Sequence, residues 1–245
     1  MCRARTQVCL AARHTSSKDF GMKTQVAIVG AGPAGLLLGQ LLHANGIDSV
    51  ILERHDRTYV EGRIRAGVLE QGTVNLLDEA GAGARCVQQG MVHGGIEISN
   101  RGERQRIDFV ELTGKSVTVY GQTEVTKDLI VARLACGQPL IFEAQDVRPS
   151  AFDGDAPRVA YRHNGAQETL ACDFIAGCDG FHGICRQSVP GDALTVYEQT
   201  YPFTWLGILS ASKPASSELV YATHERGFAL FSMRGPQISR SYLQC

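Results

Sequence analysis

The sequence predicts an α/β fold, with a parallel βαβ unit near the front and a mainly β region behind it. Three patterns carry that expectation. A short, nearly continuous apolar run, Gln25-Val26-Ala27-Ile28-Val29, suits a parallel strand covered on both faces. A glycine-rich turn and a helical stretch follow it directly. After Pro190 the texture changes to short, aromatic-rich β segments.

Taken in order, Pro33 suits the first turn of a helix, where its missing N–H costs nothing. Residues 36–44 read as helix, and Asn45-Gly46 ends it, glycine being able to take the left-handed cap. Ser49-Val50-Ile51-Leu52-Glu53 is a second strand, joined to the first by a crossover expected to be right-handed. Residues 69–80 carry Leu69, Val74, Leu76, Leu77 and Ala80 as a helical face that stops at Gly81. Residues 96–99 and 106–109 predict a hairpin around Asn100-Arg101-Gly102. Val117-Thr118-Val119-Tyr120 is a strand, and residues 126–135 a helix capped near Gly137. From Ile141 the pattern turns to β, with strands at 159–162, 170–173 and 174–176 and a turn at Asn164-Gly165. Four more candidate strands follow at 203–209, 218–222, 228–234 and 240–243.

The 245 residues suffice for one large domain or a domain and a half. The expected division is an extension over residues 1–21, a first domain over 22–195 and the start of a β-rich second domain over 196–245. The hairpin near 95–110 is expected to face the second domain. The extension holds Arg3, Arg5, Arg13 and Lys18 with no acid before Asp19, a weak likeness to an organelle presequence. The simpler reading is a start assigned too early, since Met22 directly precedes the first strand. Apolar residues at 44% and charged residues at 20% are the composition of a soluble globular protein. A net charge of −1 excludes a strong field toward nucleic acid or anionic membrane. No apolar run approaches the roughly 20 residues of a membrane span. The eight cysteines are scattered without a C-x-x-C pair and read as reduced thiols of a cytoplasmic protein. Cys172, Cys178, His182 and Cys185 offer soft ligands in one stretch, but their spacing fits tetrahedral zinc poorly, and no metal is expected.

The chemistry begins at Gly30-Ala31-Gly32-Pro33-Ala34-Gly35, a G-x-G-x-x-G between a buried strand and a helix. Glu53 closes the next strand about 20 residues on, as a Rossmann-like dinucleotide site requires. Gly30 permits the tight turn, Gly32 lets a pyrophosphate approach the backbone, and Gly35 lets helix and strand pack closely. The helix N-terminus presents free N–H groups and partial positive charge to phosphate, and Glu53 can accept from ribose hydroxyls. The competing reading is a tight turn that holds no ligand.

Longer strings carry a resemblance to a family. Ala176-Gly177-Cys178-Asp179-Gly180, with Arg186 after it, resembles the Asp-Gly motif of flavoprotein hydroxylases, although many relatives carry a small hydroxyl residue at Gly183. Gly62-Arg63-Ile64-Arg65-Ala66-Gly67-Val68-Leu69-Glu70-Gln71-Gly72 resembles the FAD loop of the 4-hydroxybenzoate hydroxylase family of aromatic-ring hydroxylases. Tyr120-Gly121-Gln122-Thr123-Glu124-Val125 and Gly177-Cys178-Asp179-Gly180-Phe181-His182-Gly183-Ile184 do the same. The resemblance runs from Met22 to about Gln244.

It implies a glutathione-reductase-type FAD domain, FAD as cofactor, NADPH as co-substrate, and O2 with a small aromatic acid as the reactants. It implies hydroxylation of 4-hydroxybenzoate to 3,4-dihydroxybenzoate; hydroxylation of another aromatic acid and a non-catalytic FAD-binding fragment are the alternatives. It implies a homodimer for full-length members and no nucleic-acid or membrane partner. By the same resemblance Arg65 and Gln122 contact FAD, Arg63 lies by the flavin, and Arg54 and Tyr59 bear on NADPH preference. Arginine suits a 2′-phosphate because its planar fork matches phosphate oxygens. Asp179 and Gly180 lie beside the pyrophosphates, with His182 and Arg186 supplying positive charge.

The last strands add a geometric argument. If His224-Glu225-Arg226-Gly227 forms a turn, Tyr221 lies opposite Leu230, and the period of two puts Ser232 and Arg234 on that face. If residues 235–239 then loop so that Arg234 faces Arg240, Tyr242 lies opposite Ser232 on the same wall. The resemblance assigns Ser232, Arg234 and Tyr242 to the benzoate carboxylate. It assigns Tyr221 to the phenol oxygen, where a hydrogen bond favours the phenolate and makes the ring a better nucleophile. Family members continue well past Tyr242 with a Gly-Asp motif and further pocket groups. Gly154-Asp155 and Gly191-Asp192 lie in apparent loops and do not match it. The chain is therefore expected to be truncated, and weakly active or inactive by itself.

Overall fold

A computed structural model of the chain describes residues 21–245; of the expected extension only Gly21 is described, and Cys2 and Cys9 lie outside the described residues. The front half runs β1 (Val26–Val29), α1 (Pro33–Ala44), β2 (Ser49–Leu52), α2 (Arg57–Gly62), β3 (Val68–Glu70), α3 (Gln71–Glu79), α4 (Ala84–Gln89) and β4 (Met91–His93). Next come β5 (Gly95–Asn100), β6 (Glu103–Asp108), α5 (Phe109–Thr113), β7 (Val117–Val119), α6 (Gln122–Ala135) and β8 (Leu140–Ile141). The rest is β9 (Gln145–Ser150), β10 (Arg158–His163), β11 (Ala166–Ala171), β12 (Phe174–Gly177), α7 (Ile184–Ser188), β13 (Trp205–Ser210), β14 (Leu219–His224), β15 (Gly227–Gly235) and β16 (Ile238–Gln244).

A parallel sheet in the order β12-β1-β2-β8 forms the centre. Its apolar runs are continuous because both faces are covered. Ile28 and Ile51 pack on one side with Leu36 of α1 and Leu129 and Ile130 of α6. Ala27, Val29, Val50 and Leu52 pack on the other against Val159, Tyr161 and Leu170 of the antiparallel β11-β10-β9 sheet. A small sheet, β3-β7-β4, lies beside α3 and α4. The last sheet has the order β13-β16-β15-β14-β5-β6, so the hairpin β5–β6 is hydrogen-bonded through β5, in parallel, to β14. Arg106 on β6 reinforces that seam, donating to both oxygens of Glu218 (2.7 and 2.9 Å).

Several expectations need correction. Leu69 lies in β3, and the helix expected from it starts at Gln71, because the segment is drawn into antiparallel pairing with β7. The helix expected at 126–135 begins a turn earlier, at Gln122. The turn before β16 also differs: Gly235 pairs with Ile238, leaving only Pro236-Gln237 between the strands. Among the described residues no helix is long and apolar enough to cross a membrane, and no His, Cys, Asp and Glu side chains cluster as a metal site.

Two buried polar side chains stand out. Arg133 on α6 is 0% exposed, and its guanidinium donates to the carbonyls of Gly39 (3.1 Å), Ser49 (2.5 Å) and Pro139 (3.1 Å). It ties α1, β2 and the α6–β8 turn together without a carboxylate. Replacing Arg133 by Ala removes three buried hydrogen bonds and leaves a void, so we expect a loss of about 3 kcal/mol of stability in a denaturant titration. His93 on β4 is buried with neither ring nitrogen hydrogen-bonded. Burial lowers its pKa below 6.5, with nearby Glu218 opposing. The neutral ring is thus the folded form, and its contribution is present above pH 6.5 and lost as pH falls from there through the lowered folded value. His93→Gln is expected to flatten that part of the acid limb in a stability–pH profile; superimposable profiles would contradict this.

Candidate functional site

The turn from β1 into α1 is built on close backbone approach. Gly30 has φ +105°, a left-handed conformation suited to glycine, and a Cβ there would lie 2.5 Å from the Cys178 carbonyl oxygen. A Cβ on Gly35 would lie 2.0 Å from the Gly30 oxygen. A Cβ on Gly32 would meet nothing within 4 Å. Gly30 and Gly35 therefore hold the turn against β12, while Gly32, at the N-cap of α1, faces open space. Pro33 sits in the first turn, as expected.

Glu53, 8% exposed, ends the hydrogen bonding of β2 and turns its carboxylate into the loop. Its Oε2 accepts from the Ala31 N–H (2.9 Å) and its Oε1 from the His55 N–H (2.9 Å). A carboxylate has about four lone-pair sites, so two remain for hydroxyl donors. The sequence pointed only to an outward role toward a ribose and gave no sign of this inward one, which fixes the loop.

The α1 N-terminus opens into a cleft of about 450 Å³ lined by Gly30, Gly32, Pro33, Ala34, Glu53, Arg54, Arg63, Arg65, Gln122, Asp179 and Gly180. Ala31, Tyr59, Val60 and Thr126 also line it. Strands and helices distant in sequence thus deliver four segments to one helix N-terminus: the glycine loop, the end of β2, the 62–67 loop and the β12 end. The 62–67 loop is held by Gln122 N–H to the Ala66 carbonyl (3.0 Å) and by the Thr123 hydroxyl to the Arg63 carbonyl (3.1 Å). Arg63 also lies 5.7 Å from the Tyr59 ring centroid. The cleft offers amide donors and cations for a diphosphate and a carboxylate for a ribose, which is the donor set a dinucleotide needs.

Two expected members lie elsewhere. His182 lines a neighbouring cavity beyond Glu53 and Arg54, with Asp146 and Gln187. Arg186 stacks its guanidinium 4.3 Å from the Phe181 ring centroid and faces a third cavity with Phe174 and Val189. Asp179 accepts from the Cys185 N–H (3.0 Å) at the start of α7, and α7 sets Arg186 in a cavity that Ala34 of the glycine motif also lines. A Cβ at Gly183 would lie 2.1 Å from the Asp179 carboxyl carbon, which accounts for glycine there. Burial raises the pKa of Cys178, and burial with Asp179 pushes Cys185 up to about 12, so both remain thiols.

A further cavity, about 880 Å³, lies against the last sheet and holds Tyr221, Ser232, Arg234 and Tyr242 together. Tyr221 pairs with Leu230, as the turn at 224–227 predicts. Tyr242 pairs with Leu230 and Ser232 with Arg240, two residues from the expected register. A shift of two preserves the face, whereas a shift of one would have reversed it. Trp205, Phe228 and Gln244 complete the wall, and Ala66, Gly67 and Val68 bring the loop from the first cleft to its edge. A Cβ on Gly67 would lie 3.0 Å from the Arg234 guanidinium carbon, and Arg240 donates to the Arg65 carbonyl (2.5 Å), so the two sites share that loop.

Ser232 is 4% exposed and its hydroxyl has no partner. Arg234 donates to the Met233 carbonyl (2.7 Å) and makes no ion pair among the described residues. Burial, and then the charge of Arg240, lowers its pKa. A cation without a carboxylate partner beside a hydroxyl without a hydrogen bond, in a largely apolar pocket, marks a place for an anion.

Comparison with known proteins accords with this geometry. The model of a family described as FAD binding domain matches residues 23–245. The chain belongs to that family. It is 53% identical over 91% of its length to p-hydroxybenzoate hydroxylase of Acinetobacter baylyi, of which it spans 55%. Among solved structures, PqsL of Pseudomonas aeruginosa is 19% identical with a TM-score of 0.75, over 91% of this chain and 60% of that one. The p-nitrophenol 4-monooxygenase PnpA of Pseudomonas putida is 17% identical with a TM-score of 0.69, over 91% of this chain and 57% of that one. At those identities the structures speak for the fold alone. FAD is the cofactor of this family, and the cleft at α1 has the donors to hold it.

The two loop glycines separate fold from ligand. Gly32→Ala is expected to leave the melting temperature within about 2 °C while weakening FAD binding roughly tenfold or more, because the methyl enters the phosphate path. Gly35→Ala is expected to lower both melting temperature and FAD affinity. Thermal melts with and without FAD, and a flavin titration, check the contrast.

Proposed function

We propose that this chain is the FAD-holding and substrate-recognising portion of an NADPH-dependent monooxygenase that hydroxylates 4-hydroxybenzoate to 3,4-dihydroxybenzoate. The observation that carries the reading is the unpaired Arg234 beside the unpartnered Ser232 hydroxyl, in the same pocket as Tyr221. The 53% identity to p-hydroxybenzoate hydroxylase supports the choice of acid. The chain spans only about half of that relative, so the activity is proposed for the longer protein. Residues 22–195 are proposed as the cofactor domain and 196–245 as the beginning of the substrate domain.

In this reading Arg234, Ser232 and Tyr242 hold the carboxylate, with the guanidinium supplying the charge. Tyr221 lies one register step from Ser232 along the sheet, about 7 Å on the strand rise, which suits a para-oriented hydroxyl on the same ring. Its hydroxyl hydrogen-bonds the phenol oxygen and favours the phenolate, raising electron density at the carbon beside it. Leu219 and Leu230 present apolar surface to the ring. Bound FAD, reduced by NADPH, supplies the oxygen activation. The α1 N-terminus, Arg63, Arg65 and Gln122 hold FAD on the other side of the loop at Ala66-Gly67. Arg54 and His182, at the junction of the two neighbouring cavities, are proposed to meet the NADPH phosphates. Arg186 faces Phe181, and its phosphate role requires a change of rotamer.

The test is product formation by the longer protein that contains this chain. With FAD, NADPH and O2, 4-hydroxybenzoate should yield 3,4-dihydroxybenzoate. NADPH loss without product would contradict the proposal, and product from a different aromatic acid alone would reassign the substrate. Arg234→Ala is expected to raise KM for the acid by about 100-fold, the loss of a charge-assisted pair. Tyr221→Phe is expected to lower kcat by 10²-fold or more with little change in KM.

A further inference from the structure

Residues 63–67, which run between the cofactor cleft and the cavity of Arg234, belong to no helix or strand. Their carbonyls are held from the segment between β7 and α6. The Tyr120 N–H donates to Gly67 (3.0 Å), the Gln122 N–H to Ala66 (3.0 Å) and the Thr123 hydroxyl to Arg63 (3.1 Å). A Cβ on Gly67 would lie 2.9 Å from the Gly121 Cα, so the two backbones are in contact. A displacement of residues 120–123 is therefore passed directly to the loop.

Behind residues 120–123 lies a polar network that neither site employs. No side chain among the described residues caps α6 at Gly121. The Tyr120 ring is instead anchored in the core at 5% exposure, and its hydroxyl donates to Asp128 Oδ2 (2.6 Å) further along α6. Arg85 reaches over from α4. Its Nη1 lies 3.2 Å from Asp128 Oδ1, and its Nη2 pairs with Glu124 in the first turn of α6. One guanidinium fork thus bridges two carboxylates, a geometry that suits arginine. The Arg85 Nε is buried with no hydrogen-bond partner among the described residues, so this placement carries a desolvation cost.

Asp128 is the hub. Burial pushes its pKa up, and the Tyr120 hydroxyl and then the Arg85 charge oppose that rise. Burial, and then Asp128, raises the pKa of Tyr120, which stays a neutral donor. An exposed ion pair fixes little, because water replaces either partner. A carboxylate buried this far loses compensation when either donor is removed, and the backbone around it shifts.

We infer that Arg85, Asp128 and Tyr120 are positioning residues for the flavin side of FAD, acting through residues 120–123 on the 63–67 loop. Glu53 and the α1 N-terminus take the ribose and diphosphate, which ADP shares. Arg63, Arg65 and Gln122 take the part of FAD beyond them. The network therefore governs the portion of the ligand that ADP lacks. This inference rests on the proposed FAD role of Arg63, Arg65 and Gln122.

The chain and its Arg85→Gln, Tyr120→Phe and doubly substituted variants are titrated in a calorimeter with FAD and with ADP. Each single variant is expected to weaken FAD about tenfold, through a loop no longer preorganised, and ADP by less than about twofold. The double variant is expected to bind FAD no more weakly than the worse single variant, because both act through Asp128. A thermal melt identifies any variant that fails to fold. Asp128→Asn, which keeps the side-chain shape and removes the charge that Arg85 meets, then takes its place with the same expected contrast. Equal weakening of FAD and ADP, an unchanged FAD affinity, or single losses that multiply in the double variant overturns the inference. If the unsubstituted chain binds FAD no tighter than ADP, the flavin-side placement falls and the positioning role with it. If FAD binds tighter and the variants leave that margin intact, the placement stands and the positioning role alone falls.

Discussion

Everything in this molecule follows from how closely the Gly30 turn approaches the end of β12. Gly30 and Gly35 have no side chains because the Cys178 carbonyl and the Gly30 carbonyl occupy the space that side chains would need. That contact sets the start of α1 against Asp179 and aims the helix N-terminus at the cleft. Glu53 then pins the Ala31 amide, so the loop is formed before a ligand arrives. A backbone fixed in this way costs little further ordering when a diphosphate binds, which is the source of tight recognition at such sites.

The second site depends on the first through one loop. Residues 62–67 line the cofactor cleft at Arg63 and Arg65 and the cavity that holds Arg234 at Ala66 and Gly67. Arg240 on β16 holds the Arg65 carbonyl, and Gly67 has no side chain where Arg234 approaches. The cofactor cleft and the Arg234 cavity thereby lie on opposite sides of the same stretch of backbone. The hairpin β5–β6, clamped to β14 by Arg106 and Glu218, makes the last sheet continuous with a segment from the front of the chain.

The parts of this arrangement that were legible in the sequence are those set by local rules. The glycine loop, the acid at the end of β2 and the hairpin turns at Arg101-Gly102, Asn164-Gly165 and 224–227 each follow from short-range backbone constraints. All three turns carry positive φ, at Arg101 and Gly102, Asn164 and Gly165, and Gly227. The pocket face was legible despite a wrong register, since Tyr221, Ser232, Arg234 and Tyr242 share a face under any even shift. What was not legible is tertiary. Arg133 looks like an exposed helical charge until α1 and β2 place carbonyls around it. Leu69 has the spacing of a helix and joins a strand because β7 is available to pair with it. The cavity that Arg186 lines depends on where α7 lies, for which no spacing rule prepares the reader.

The central claim is that a diphosphate binds at the N-terminus of α1 in a loop already shaped for it. Competition calorimetry tests it most directly, with FAD titrated into the chain in the absence and presence of ADP or of riboflavin. The account predicts that FAD binds, that ADP competes because it carries the diphosphate and ribose, and that riboflavin competes weakly or not at all. Absence of FAD binding, or competition by riboflavin without competition by ADP, would contradict it.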